Sequence, residues 1–232
     1  MPVPAALRLR RESWGFAVGS LLFMLGAVPM YQEAVGDVAV NSTFFAGSLF
    51  FTAAGFIQLS MSGKRPPWHP QASPDANGHT GTRPDTFDWW AAAVQFVGTL
   101  LFNVSTVSAL IVSVNATSRL DGGWRPDAYG SIAFLVSSTF AVIATTERET
   151  LWDPQARTWR CTWLNMAGSV LFGLSAIGAF VLPATDDFVS LFWANFGTFA
   201  GAACFFVAAV LSRPGLKAVR AARIHREHPT AG

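Results

Sequence analysis

The chain has 232 residues, 51% of them hydrophobic and only 13% charged, whereas a soluble domain carries about 25% charged residues. Charges are absent from six long stretches and crowd between them, which excludes an ordinary soluble domain. A net charge of +2 offers no overall basic field for nucleic acid.

A helix needs roughly 20 apolar residues to cross the hydrocarbon core. Six windows free of Asp, Glu, Lys, Arg and His approach that length. The first, Trp14–Tyr31, follows Arg8, Arg10 and Arg11. Its pattern recurs in the fifth window, so it reads as a span and not as a signal peptide. Gln32–Ser42 carries Glu33 and Asp37 without a base and reads as a connection. The second window is Thr43–Ser62. Gly63–Asp88, with five prolines, reads as a polar linker, and its His69 and His79 as solvated loop residues, because a metal would need more ligands. The third window is Trp90–Val112, extendable to Thr117. Ser118–Ala128 sets Arg119 and Arg125 against Asp121 and Asp127. The fourth is Tyr129–Thr146. In Glu147–Cys161, the run Glu147-Arg148-Glu149 near Asp153 reads as a self-neutralising loop, since no nucleophile or metal ligand accompanies it. The fifth window, Thr162–Pro183, and the sixth, Val189–Leu211, are separated by Asp186 and Asp187. The tail is basic. Its Leu216, Val219 and Ile224 alternate with Lys217, Arg220 and Arg223, as in a surface-lying helix or a frayed tail.

Fourteen of the 16 Lys and Arg fall on alternate connections and the two chain ends. The positive-inside rule assigns that side, and both termini, to the cytoplasm. Trp14, Trp89, Trp90, Trp163 and Trp193 stand near window starts, as an interfacial belt requires. The expected fold is all-α: a single polytopic membrane domain of six transmembrane helices in three sequential hairpins, at about 13–62, 89–146 and 162–211. A cytoplasmic linker (63–88) and a cytoplasmic tail (212–232) complete it.

Gly-[Ser/Thr]-x-x-Phe recurs in five of the windows, at Gly19–Phe23, Gly47–Phe51, Gly98–Phe102, Gly130–Phe134 and Gly168–Phe172. The sixth has Gly197-Thr198, with Gly201 where Phe would fall. Fixed recurrence points to an internal repeat. Inside lipid, small residues allow close backbone approach, so Gly19, Gly47, Gly98, Gly130, Gly168 and Gly197 are the candidate packing positions. Consecutive hairpins start from the same side, so the repeats would be related by rotation about the membrane normal.

With no ionisable group in any window, a proton relay or voltage sensor is not expected. The remaining polar residues are amides and hydroxyls. Gln95, Thr99, Asn103 and Thr106 share a face of the third helix. Ser131, Ser138 and Thr145 do so on the fourth, with Asn165 and Ser169 on the fifth and Asn195 and Thr198 on the sixth. Gln95, Thr99, Asn103, Thr106, Ser138, Asn165 and Asn195 form the candidate intramembrane polar set. They either bond between helices or line a path for a small neutral solute; the first reading is preferred. Cys161 and Cys204 read as small buried residues. No catalytic motif is present, and no metal or cofactor is expected.

Trp14–Phe23, Phe44–Phe51, Phe102-Asn103-Val104-Ser105-Thr106, Trp124-Arg125-Pro126-Asp127 and Ala194-Asn195-Phe196-Gly197-Thr198 resemble segments of actinobacterial proteins with a YrhK-like domain. The resemblance covers most of the chain outside the linker and tail. It implies a small multi-pass family of the bacterial plasma membrane and supplies no site residues. The expected function is a non-enzymatic structural or assembly component. Its partners are the lipid bilayer and either a second copy or another membrane protein, with no nucleic acid. The alternative is a passive channel or transporter for a small neutral solute.

Overall fold

A computed structural model describes residues 5–62, 83–115, 126–148, 152–180 and 188–214. They form six helices: α1 (Ala5–Gly26), α2 (Pro29–Met61), α3 (Arg83–Asn115), α4 (Pro126–Arg148), α5 (Arg157–Gly178) and α6 (Leu191–Ser212). Five of them, α2 to α6, are long and apolar enough to cross a membrane. The protein therefore has the character of an integral, multi-pass membrane protein.

α1 departs from the expected first span. Arg8, Arg10, Arg11 and Glu12 lie within the helix, and it stops at Gly26 instead of running to Tyr31. The uncharged remainder is shorter than a full crossing. Pro29 explains the stop. Its missing N–H and fixed φ suit the first position of a new helix, and α2 starts there.

A second departure follows. The acidic stretch 32–42, expected to be a connection, is helical and belongs to α2. Charge pattern marks exposure, not backbone state, and Glu33 and Asp37 sit comfortably on a solvated helix face. The irregularity there is confined to Gly36, whose φ of 79° and ψ of 169° lie in a region open essentially to glycine alone. Tyr31 and Thr43 hydroxyls, 2.9 Å apart, tie the two parts of α2 across it. At the linker, residues 83–88 belong to the first turns of α3. The rest of the linker with its histidines, the Trp124-Arg125 pair, Glu149, the 181–187 connection and the tail beyond 214 lie outside the described residues.

Each helix packs on its neighbours in sequence, and α1 also packs on α6, closing a ring. At one end, Ser13 Oγ is 3.1 Å from Ser212 Oγ, Arg8 donates to Ser60 and Arg157 donates to the Arg213 carbonyl at 3.4 Å. This is the basic end. At the other, α1 turns directly into α2, and Ser190 N–H donates to the Gly178 carbonyl at 2.9 Å, bringing α6 back onto α5.

The ring is polarised from outside to inside. Leu21, Leu49, Phe56, Val97, Leu100, Val104, Ile132 and Val170 are exposed, while Ser20, Ser48, Thr99, Ser131 and Ser169 are at most 2% exposed. Apolar outside and small-polar inside is the arrangement lipid requires, because water cannot drive the helices together there.

Candidate functional site

The glycines bring the helices together in reciprocal pairs. A Cβ on Gly47 would meet the Phe23 ring at 3.0 Å, and one on Gly19 would collide with Phe51. In the next pair, Gly98 faces the Phe134 ring at 2.7 Å and Gly130 faces Phe102 at 2.8 Å. In the last, Gly168 faces Phe205 at 3.1 Å and Gly201 faces Phe172 at 2.7 Å. Each phenylalanine fills the hollow left by its partner's glycine.

The sixth instance is thus Gly201-Ala202-x-x-Phe205, not the Gly197 register read from the sequence. Ala202 is 0% exposed, matching the buried serines or threonine after the other glycines. The sequence signal was available as Gly-x-x-x-Phe once the hydroxyl was relaxed to any small residue. Gly197 packs differently: its Cβ would lie 2.6 Å from the Leu171 carbonyl oxygen and 2.8 Å from Ser175.

The six rings converge on the bundle axis in two layers. Phe23, Phe102 and Phe172 form one triangle, with centroids 6.2, 5.6 and 5.9 Å apart. Phe51, Phe134 and Phe205 form the second, at 6.5, 5.8 and 6.0 Å. All six are at most 7% exposed. Edge-to-face contacts at these separations add about 0.5–1.5 kcal/mol per pair beyond burial. The void beside them, of about 10 Å³, is at the threshold for a single water and has apolar walls, so it stays dry.

Above the first triangle lies a vestibule of about 830 Å³, built from all six helices at the end opposite the basic one. Its floor is Phe23, Phe102 and Phe172. Its walls carry Asn41, Ser105, Thr106, Ser131, Ser175, Asn195 and Thr198, and Gln32, Asp37 and Asp127 line it as well. No Lys or Arg among the described residues lines it. Equivalent offsets recur here. Gly26, Ser105 and Ser175 follow Gly19, Gly98 and Gly168 by the same spacing, and Asn41 and Asn195 precede Gly47 and Gly201 alike; all five line the cavity. The hydroxyls are also bonded to protein: Ser175 donates to the Ala194 carbonyl at 2.7 Å, and Ser48 and Thr106 are 3.0 Å apart.

The polar set read from the sequence divides. Thr106 and Asn195 face the vestibule. Gln95 turns to α4, accepting from Ser137 Oγ at 3.5 Å. Asn103 turns to α2, donating to Thr52 Oγ1 at 2.8 Å, while its Oδ1 is buried without a hydrogen-bond partner. Thr99 donates to its own helix at Phe96. Ser138 meets Ser169 Oγ at 2.8 Å, and the Asn165 backbone carbonyl accepts from Ser169 at 2.9 Å. The third-helix stripe therefore joins α3 to two different neighbours and does not line one path. Sequence reasoning missed Gln32, Asp37 and Asn41, which it had placed in a loop, and Ser105 and Ser175, whose shared offset from the glycines was the available signal. Among the described residues, no group of three His, Cys, Asp or Glu is placed to hold a metal ion.

At the basic end, Ser13 and Ser212, and Thr145 and Thr162 at 3.0 Å, join helices, and Ser137 donates to the Ala91 carbonyl at 2.7 Å. Glu12, before the uncharged part of α1, has its Oε2 sealed from solvent and without a partner. Burial raises its pKa from 4.5 to about 7. The folded state then holds this proton more tightly than the unfolded chain. The contribution of Glu12 to stability is full below pH 4.5, is lost as pH rises towards 7, and is constant above. Glu12→Gln is expected to remove that pH dependence in thermal unfolding of the detergent-solubilised protein and to raise stability at pH 8. An unchanged slope would contradict it.

Comparison with protein-family models, with curated proteins and with solved structures gives no match.

Proposed function

We propose that this multi-pass membrane protein is a non-enzymatic facilitator that admits a small polar solute to the vestibule and passes it when the phenylalanine layers part. One observation carries this reading: a cavity of about 830 Å³, bounded by all six helices and lined by hydroxyl, amide and carboxyl groups from α2 to α6, ends on a dry aromatic floor. Hydroxyls and amides can replace water around a neutral solute, and an apolar constriction gates by excluding water. The glycine hollows are filled by phenylalanines of the same chain and do not themselves call for a second copy.

The reading includes α1 as a sixth, short crossing. Its close packing on α2 and α6 supports this, as does Trp14, 47% exposed at the start of its uncharged part. It also includes three hairpins as repeats about an axis normal to the membrane. The reciprocal glycine–phenylalanine pairs and shared vestibule offsets support that arrangement. On the positive-inside rule the basic end faces the cytoplasm, so the vestibule opens outward from a bacterial plasma membrane, in keeping with the YrhK-like resemblance.

The test is stopped-flow swelling of proteoliposomes in gradients of urea, glycerol and larger polyols. Swelling with at least one solute is expected to exceed that of protein-free liposomes, and Ser105→Phe, which fills the vestibule, is expected to abolish the excess. Rates equal to empty liposomes for every solute would overturn the proposal.

A further inference from the structure

The outer surface between α1 and α2 holds a second recess that the vestibule does not use. It has a volume of about 850 Å³. The recess exists because α1 and α2 meet through small residues: a Cβ on Gly15 would stand 2.9 Å from Ala54 Cβ, and Ala53 beside it is exposed. Val18, Phe50 and Ile57 extend the apolar wall. At its basic end the recess is lined by Arg10 and Arg11, with Trp14 beneath them. A third cation stands at this level, because the Arg213 guanidinium lies 5.0 Å over the Trp14 ring. No acidic side chain among the described residues lines the recess.

This layout orders chemistry by depth. Fixed cations and an indole stand at headgroup level, and an apolar slot runs from them along the lipid-facing side of the bundle. A free anion would use the arginines and leave the slot empty. A neutral lipid would use the slot and leave the arginines uncompensated. A phosphodiester with an acyl tail satisfies both. We propose that the α1–α2 groove holds one anionic phospholipid, its phosphate against Arg10 and Arg11 and one acyl chain along Gly15, Ala53 and Ala54. Basic residues at the membrane surface recognise anionic headgroups in this way, and arginine suits phosphate because its planar fork donates two bonds at once.

The experiment is native mass spectrometry of the full chain, delipidated in detergent and titrated with phosphatidylglycerol, with phosphatidylcholine of the same acyl chains, and with glycerol phosphate. The wild type is expected to retain a single phosphatidylglycerol, in preference to phosphatidylcholine, and no glycerol phosphate. Replacing both arginines (Arg10→Gln with Arg11→Gln) should weaken phosphatidylglycerol about 30-fold, to the level of phosphatidylcholine. Ala53→Leu, which fills the slot from an exposed position, should weaken both lipids while leaving the arginines in place. Equal retention of the two lipids by the wild type, or no loss in either variant, would overturn the proposal. So would glycerol phosphate binding as strongly as phosphatidylglycerol, which would make this a phosphate site without a lipid.

Discussion

Gly197→Leu is expected to separate α5 from α6 and to leave the protein aggregated or unfolded in detergent. The reason is what surrounds the position. A Cβ there would lie 2.6 Å from the Leu171 carbonyl oxygen and 2.8 Å from the Ser175 nitrogen. These are backbone atoms of a packed helix, and they cannot swing aside as a side chain can. Alanine alone should cost about 1–3 kcal/mol by overpacking, outweighing the gain of about 1 kcal/mol that alanine has over glycine in a helix. Gly178, whose Cβ would come 2.6 Å from the Ala194 nitrogen, should behave alike. Gly55 provides the contrast. Its nearest neighbour stands 3.6 Å away, so Gly55→Ala should be neutral or mildly stabilising. The check is the thermal midpoint and size-exclusion profile of the three alanine variants and Gly197→Leu. Equal behaviour at positions 55 and 197 would contradict the packing account.

Phe172→Ala is expected to cost about 3–5 kcal/mol, the usual range for emptying a buried phenylalanine site. Phe172 touches the rings of Phe23, Phe102, Phe134 and Phe205, all with centroids within 6.4 Å. Those rings are held by glycine contacts, so the hollow cannot collapse cheaply. Phe56, 61% exposed on the outer surface, should lose less than about 1 kcal/mol on the same substitution. The two variants also differ at the site. Phe172 is part of the vestibule floor, and removing its ring joins the vestibule to the small void that Thr99 lines. A cysteine at position 99 should therefore be shielded from a charged thiol reagent in the otherwise unaltered protein and become reactive in the Phe172→Ala background. Shielding that persists there would mean that the floor is not Phe172.

Much of this architecture was legible in the residues. The uncharged windows located α3 to α6 because a lipid-crossing helix must be apolar over its whole length. The recurrent glycines marked the close approaches because no other residue permits them. The chain misled where polarity and backbone state part company. Glu33 and Asp37 suggested a loop, yet they lie on helical turns separated only at Gly36. Pro29, inside a continuous apolar run, carried the break that hydropathy ignores. In α3 Gln95 and Asn103 were read as sharing one face, but a helix in a ring has two neighbours, and the amides reach one each. The phenylalanines were recognised as companions of the glycines along each helix. Their convergence into two layers depends on the ring of six closing, which is a property of tertiary packing and has no local signature. The same holds for the vestibule, whose lining is gathered from every helix.

Water should enter the bundle from one end and stop at the phenylalanine layers. Cysteine accessibility tests this most directly, in a background with Cys161 and Cys204 replaced by alanine. Single cysteines at Ser105 and Asn195, which line the vestibule, should react with a charged, membrane-impermeant thiol reagent added opposite the basic end. A cysteine at Ser169, buried at 0% exposure, should react from neither side. Unreactive positions 105 and 195, or a position 169 that reacts as fast as they do, would contradict it.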